Sequence, residues 1–342
     1  MEKFRFALIL VMVFAILLVG CQPGSEPEEV YELTTVTIND STQVNYAPIY
    51  FAEANGYFED YGIQLEVLTF NRVTEAIPLL ASGQLDVYAG SISAGLLNTF
   101  GQEPNVKAVA DRGKIVEGGC TFQALLVRKD LYDSGVVRGP EDFSGLLVAA
   151  TPTATRGFHL SRFLEKGGLT FDDVEITDLP SASYFDALDN KAIDVIITPE
   201  LVLTRLIEYG NVVVLSKAED EIGPYQSSIL AFGQRLIQQD PDLGVRFLAA
   251  YLKGVQKYNE GKTEENLAFL AEKTGEDIEL LRKSCWVPIR DDGLIDFNEV
   301  DPFQQWSKEM GQLDETITEE QFWDPSFLEA AKALIASEDT SK

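Results

Sequence analysis

Strand, loop and helix alternate from Thr37 to Val109, and this rhythm restricts the chain more than any other feature. An apolar run at 33–38 ends in the polar stretch 39–46. A short helix is predicted at 47–58, with aromatic residues at its end. A second strand is predicted at 63–70, followed by a helix at 74–81 that stops at Ser82-Gly83. A third strand at 85–88 runs into Ala89-Gly90-Ser91-Ile92-Ser93, and a fourth is predicted at 106–110. Such alternation argues for a mostly parallel sheet with helices on its faces. In sheets of that kind ligands sit outside the carboxyl ends of the strands. Here those ends are small, polar or aromatic.

The pattern changes further on. Asp111-Arg112-Gly113-Lys114 and Glu117-Gly118-Gly119-Cys120 read as a polar, Gly-rich loop before an apolar strand at 122–128. Strands at 145–150, 174–178, 192–197 and 212–215 alternate with helices at 158–166, 184–190 and 201–209, a second βαβ-type unit. From Gln234 onward apolar residues recur at three-four spacing over 241–257, 264–273, 277–284, 301–310 and 326–336, so this part is predicted helical. These helices are expected on the outside of the first lobe. No repeat of solenoid period is visible.

The chemistry-bearing residues exclude several classes of function. The chain has one His, His159, so a Ser-His-Asp or Cys-His system would have to use it, and no Gly-x-Ser-x-Gly elbow is present. No Cys or His cluster has metal-ligand spacing. No phosphate-cradling Gly-x-x-x-x-Gly-Lys-Ser/Thr loop occurs. The net charge of −28 comes without a basic stripe, which argues against a nucleic-acid partner and reads as solubility. A chain of this length suits two lobes better than one core.

The motifs Pro48-Ile49-Tyr50-Phe51-Ala52, Gly56-Tyr57-Phe58, Gly62-Ile63 and Ala81-Ser82-Gly83-Gln84-Leu85-Asp86-Val87 resemble substrate-binding proteins of ABC importers. The branch they resemble takes up nitrate, taurine, alkanesulfonates, thiamine-pyrimidine precursors and riboflavin. The resemblance runs more loosely to about residue 260. It implies an α/β, two-lobe periplasmic-binding-protein-like (type II) fold with the ligand cleft between the lobes. It also implies no cofactor, no catalysis, and delivery to a membrane permease with a separate ATPase. Residues 33–121 and 226–337 would form the first lobe and 122–225 the second, in a monomer. An enzyme of the same superfamily, the fungal thiamine-pyrimidine synthase, carries a Cys-rich cluster that has no counterpart here.

The N-terminus fits export. Lys3 and Arg5 precede an apolar run at 6–18, too short for a comfortable membrane span, and Leu18-Val19-Gly20-Cys21 resembles a lipobox. Residues 1–20 are expected to be a lipoprotein signal peptide, Cys21 the lipidated residue, and 21–32 a flexible acidic tether. The protein would then sit on the extracytoplasmic face of the cell membrane. Cys120 and Cys285 either pair or remain two buried thiols; the sequence leaves both open.

The ligand is expected to meet residues at predicted strand ends. Asn45 and Tyr46 lie in a loop that the resembling family uses. Arg72 follows the second strand, and Tyr88, Ser91 and Ser93 end the third. Thr153, Thr155 and Arg156 open a helix in the second lobe, and Tyr184 and Tyr225 are placed to close over the top. Hydroxyls and amides would orient the ligand, and rings would supply area. A sulfonate or nitrate needs an Arg, for which Arg72, Arg112 and Arg156 are the candidates. The many aromatics favour riboflavin or a related vitamin precursor, with the small anion as the alternative.

Overall fold

A computed structural model describes residues 31–41, 44–70 and 73–341. The expected leader, Cys21 and Arg72 lie outside the described residues. From Leu33 onward the chain forms one compact unit built on two five-stranded sheets. The strands are β1 (Thr34–Asn39), β2 (Ile63–Leu68), β3 (Val87–Ser91), β4 (Lys107–Ile115) and β5 (Gln123–Arg128). They continue with β6 (Leu147–Ala149), β7 (Glu175–Thr177), β8 (Val195–Pro199), β9 (Val212–Lys217) and β10 (Tyr225–Phe232). The sheet orders are β2-β1-β3-β10-β4 and β7-β6-β8-β5-β9.

Both sheets are mixed. β1 runs parallel to β2 and β3, but β10 is antiparallel to β3 and β4. In the second sheet β6 is parallel to β7 and β8, while β5 is antiparallel to β8 and β9. The two reversed strands, β5 and β10, are those by which the chain enters one sheet from the other. It leaves each sheet at the carboxyl end of a strand, so the entering strand starts from that same side and runs away from it. Both are buried along their whole length, including the polar Gln123 and Arg128 of β5 and Gln226, Ser227 and Ser228 of β10.

β4 extends through the quartet read as a loop. Asp111 and Arg112 are fully buried within it. The pairing with β10 is irregular here, with register shifts at Gln226/Ser228 and Ser228/Ile229. Gly113 has φ of 135°, and a Cβ there would lie 2.7 Å from Val287 and 3.2 Å from the Asn45 amide. The polar residues belong to a strand because their partners come from distant segments, which no local pattern reveals.

The helix Pro241–Asn259 packs against Ala47–Ala54. Gly254 permits the approach, since a Cβ at that position would lie 2.0 Å from the Pro48 carbonyl. Ser326–Ser341 packs on the same long helix. The C-terminal helices also reach the second sheet, beyond the position expected for them. Arg205 pairs with Glu276, Lys283 with Glu208 at 2.7 Å, and the Cys285 N–H donates to the buried Glu200 carboxylate at 2.9 Å. Phe158 packs on Trp306 at 5.3 Å and on Phe303 at 5.9 Å. No helix among the described residues is long and apolar enough to cross a membrane.

Cys120 and Cys285 form a disulfide with a Cα–Cα distance of 5.5 Å, which closes a loop across 165 residues. It fastens the first crossing between the sheets to the C-terminal segment. His159 is also structural. It is fully buried, with Nδ1 3.3 Å from Gln123 Nε2 and Nε2 3.0 Å from Ser216 Oγ, so a neutral ring satisfies both nitrogens. Burial, helped by Lys166, pushes its pKa from 6.5 down to about 3.

Two measurements follow from this packing. Loss of a disulfide closing so long a loop costs about 2–5 kcal/mol. Cys285→Ser is therefore expected to lower the melting midpoint by about 5–10 °C. Dithiothreitol should produce the same drop in the wild type and none in the variant. His159 binds a proton in the unfolded chain below pH 6.5 but remains neutral in the fold down to about 3. Its contribution is complete above pH 6.5 and is lost as pH falls toward 3, at up to about 1.4 kcal/mol per pH unit. Denaturant unfolding of His159→Gln between pH 6.5 and 5 should show a shallower loss than the wild type.

Candidate functional site

The carboxyl ends of the parallel strands face each other across a seam. Ser93 and Ala154 form an antiparallel bridge, and the Ala94 N–H donates to the Thr153 carbonyl at 3.0 Å. The Gln312 amide donates to the Pro152 carbonyl at 3.1 Å, and the Thr155 hydroxyl lies 3.4 Å from the Tyr225 hydroxyl. Ser93 also caps the helix Ala94–Gln102 by accepting from the Leu96 N–H at 3.3 Å. Beside this seam opens a cleft of about 520 Å³, with Glu75, Ser93, Asn98, Thr151, Thr153 and Asp178 in its wall. No Lys or Arg among the described residues lines it, and Glu75 and Asp178 add two carboxylates to its hydroxyls and amides.

A cationic group lies deeper, at the cleft end of the first sheet. The Arg112 guanidinium is fully buried. Its Nη2 donates to Ser41 Oγ at 3.3 Å, while Nε and Nη1 have no partner among the described residues. Burial pushes its pKa below the usual value. The groups that offset this are the hydroxyls of Tyr251, Tyr46, Tyr88 and Tyr50, with no carboxylate among them. The guanidinium stands over the Tyr46 ring at 5.6 Å. Buried donors left without an acceptor are costly to maintain.

The surroundings are neutral and polar. The turn Val44–Tyr46 carries Tyr46 against Arg112 and places Asn45 beside Gly113, the next residue of β4. Both Asn45 amide atoms and the Tyr46 hydroxyl are buried without partners among the described residues, as is the Ser228 hydroxyl on β10 opposite Gly113. Burial, then the nearby Tyr50 and Asp40, raise the Tyr46 pKa, so its hydroxyl keeps its proton. The Tyr88 ring folds over Gly90, where a Cβ would come within 2.4 Å of it, and its hydroxyl donates to the Ser91 carbonyl at 2.9 Å.

The expected site residues thus fall into three groups. Asn45, Tyr46, Tyr88 and Ser91 surround or adjoin Arg112. Ser93, Thr153, Thr155 and Tyr225 lie along the seam between the sheets. Arg156 and Tyr184 stay within the second lobe: Arg156 donates to the Tyr184 hydroxyl at 2.9 Å and to the Thr151 hydroxyl, and the Tyr184 ring belongs to an apolar core with Leu188 and Ile196. Ser228 was not singled out in the sequence, and Arg112 appeared there only as one anion candidate in a loop. The available signal was a charged pair, Asp111-Arg112, directly following the apolar residues Ala108–Ala110 and preceding a glycine.

No cluster of His, Cys, Asp or Glu that could hold a metal ion occurs among the described residues. No curated protein matches the chain in sequence. Among solved structures, the fold is similar to the ligand-binding component of an ABC-type import system from Staphylococcus aureus. The TM-score is 0.72 at 16% identity, covering 87% of this chain and 99% of that one. It is similar to the periplasmic nitrate-binding protein NrtA from Synechocystis PCC 6803, with TM-score 0.70, 15% identity and 92% of each chain covered. It is also similar to the periplasmic aliphatic sulphonate-binding protein SsuA from Escherichia coli, with TM-score 0.66 and 16% identity, covering 85% of this chain and 92% of that one. The desulfurization enzyme DSZB shares the fold as well, with a TM-score of 0.64. At such identities these likenesses establish the periplasmic-binding-protein-like α/β fold. The NMT1/THI5-like family profile matches residues 43–261, well over half of the chain, so the chain belongs to the NMT1/THI5-like family.

Proposed function

We propose that the protein is the solute-binding component of an ABC importer and that its solute is a small anion held by Arg112. The observation that carries this reading is the fully buried Arg112 guanidinium, whose Nε and Nη1 have no partner among the described residues. An oxyanion would supply both the counter-charge and two acceptors in the planar arrangement that guanidinium favours. Asn45, Tyr46 and Ser228 would add neutral donors from the turn after β1 and from β10. The names of the sulphonate- and nitrate-binding neighbours lend weight to the same class.

Riboflavin or a thiamine pyrimidine is the weaker reading. A neutral ring would leave the guanidinium uncompensated. Of the rings expected to stack, only Tyr46 and Tyr88 adjoin Arg112, while the Tyr184 hydroxyl is engaged by Arg156 and Tyr225 packs on Phe158 and Phe303. In the mechanism proposed, the anion enters when the lobes part. It then favours the closed form, because Arg112 is compensated only when the ligand is enclosed. Lipid on Cys21 would hold the protein at the membrane, and the closed form would dock on a permease driven by its ATPase. Binding without turnover is part of the proposal.

Thermal melting against alkanesulfonates, nitrate and riboflavin tests it. A ligand at a hundredfold its dissociation constant adds about 2.7 kcal/mol. A sulfonate or nitrate should raise the midpoint by several degrees, and riboflavin should not. Arg112→Met should abolish the shift and raise the midpoint of the ligand-free protein, by about 1 kcal/mol or more, because an uncompensated charge leaves the interior. A riboflavin shift that survives Arg112→Met would overturn the anion reading. Conversion of the bound anion, followed by mass spectrometry, would overturn the binding-protein reading.

A further inference from the structure

Late in the chain, a segment bridges the two sheets beside the cleft. The helix Asp301–Glu309 ends in a turn of the Schellman type. The Gly311 N–H donates to the Lys308 carbonyl at 2.9 Å, and the Gln312 N–H donates to the Ser307 carbonyl at 2.8 Å. Gly311 has φ of 69°, the left-handed conformation that this turn requires. The reversal delivers Gln312 to the seam. Its backbone carbonyl accepts from the Asn98 amide at 3.1 Å, and its side-chain amide donates to the Pro152 carbonyl at 3.1 Å. Asn98 lies in the cleft wall, and Pro152 stands between two other wall residues, Thr151 and Thr153.

Toward the first sheet the segment is fixed at successive points. Ile317 lies against Gly101, where a Cβ would stand 3.2 Å from it. Phe322 packs on Phe100 at 5.3 Å, and the Asp324 N–H donates to the Ala108 carbonyl of β4 at 3.0 Å. Toward the second sheet it offers the Gln312 amide and two rings, Phe303 and Trp306, which pack on Phe158 of the helix Thr155–Lys166. Trp306 also meets Phe171, at 6.4 Å. This second attachment is incompletely satisfied. Trp306 Nε1 and Gln312 Oε1 are buried without a partner among the described residues. Burying the rings is favourable, whereas each unmet polar atom is penalised until water reaches it.

Resting on the reading above of two lobes that part to admit a solute, we propose that residues 301–324 form a closing latch, fixed to the first lobe and releasing the second at Gln312 and Trp306. Ring burial favours the closed form and the two unmet polar atoms favour the open one, so neither state is locked. The latch sets how much of the solute-free protein is closed, and through that fraction the apparent affinity for any solute that is held in the closed form. Gln312 acts from behind the cleft wall, through Asn98 and Pro152.

Amide hydrogen exchange of the disulfide-intact, solute-free protein, resolved by NMR, reads the latch. The Ala94 N–H donates to the Thr153 carbonyl across the seam, so this hydrogen bond protects it only while the two halves are together. Gln312→Glu keeps the shape of the side chain and turns the donor facing Pro152 into an acceptor. It should speed Ala94 exchange about tenfold and leave the buried β10 amides from Ile229 to Phe232 unchanged. Gln312→Ala, which adds no charge, should act in the same direction to a smaller extent. Unchanged Ala94 exchange in both variants would overturn the latch and leave the binding-protein reading standing. Equal acceleration at Ala94 and in β10 would overturn it as well, because Gln312 would then support the whole fold. Wild-type Ala94 exchanging no faster than β10 would mean that the halves do not part, and the closing cleft would fall together with its latch.

Discussion

The carboxylate of Asp111 ties the first lobe together at the point where the site is built. Its Oδ1 accepts from the Gly113 N–H and the Gln226 amide, and its Oδ2 accepts from the Arg290 N–H, each at 2.7 Å. The Asp111 backbone is used as well: its N–H donates to the Gly293 carbonyl at 2.9 Å, and its carbonyl accepts from Tyr251. One buried residue therefore joins β4, β10, the long helix and the C-terminal segment. Burial pushes its pKa up, and the three hydrogen bonds push it back down. Each hydrogen bond to a charged group is worth roughly 1.5–3 kcal/mol, which offsets a desolvation penalty of several kcal/mol. Arg112, the next residue, points into the site because Asp111 is fixed in this way.

The C-terminal segment has a part in function that its position at the end of the chain conceals. The disulfide to Cys285 anchors its start at the first crossing. Val287 then lies against Gly113, Tyr258 donates to the Val287 carbonyl at 2.9 Å, and Trp286 stacks on the Tyr258 ring at 5.3 Å. The same segment contacts the second lobe through Glu200, Arg205 and Glu208. It packs behind Gly113, the neighbour of Arg112, and contacts both sheets' flanking elements. Its covalent anchor limits how far the two sheets can separate without disturbing the residues around Arg112.

The titratable groups near Arg112 are protonated or engaged in structure. The one imidazole is satisfied at both nitrogens in the core of the second lobe, remote in role from Arg112. The tyrosine hydroxyls around the guanidinium have their pKa values raised by burial, which suits donors of hydrogen bonds and not nucleophiles or bases. Around Arg112 the structure gathers a fixed charge with neutral donors and acceptors in a desolvated space.

Much of the architecture was legible in the sequence because it rests on local signals. Period-two apolar runs, three-four spacing and Gly or Ser punctuation depend on residues close together in the chain. They marked the strands from β1 to β3, the apolar run of β5, and the long C-terminal helices. The placement of Arg112 was not legible, nor was the pairing of Cys120 with Cys285. Asp111-Arg112-Gly113-Lys114 has loop composition, and it becomes a strand only because Gln226, Arg290 and Tyr251 satisfy it from more than a hundred residues away. The same limit applies to Arg156 and Tyr184, whose side chains satisfy each other once the second lobe folds. The sequence by itself determined the family, the alternation of elements and the polar character of the strand ends, since each is written in neighbouring residues. Only the tertiary structure decided that Arg112 is buried with two nitrogens unpartnered among the described residues, because hydrogen-bond partners are arranged in space and not along the chain.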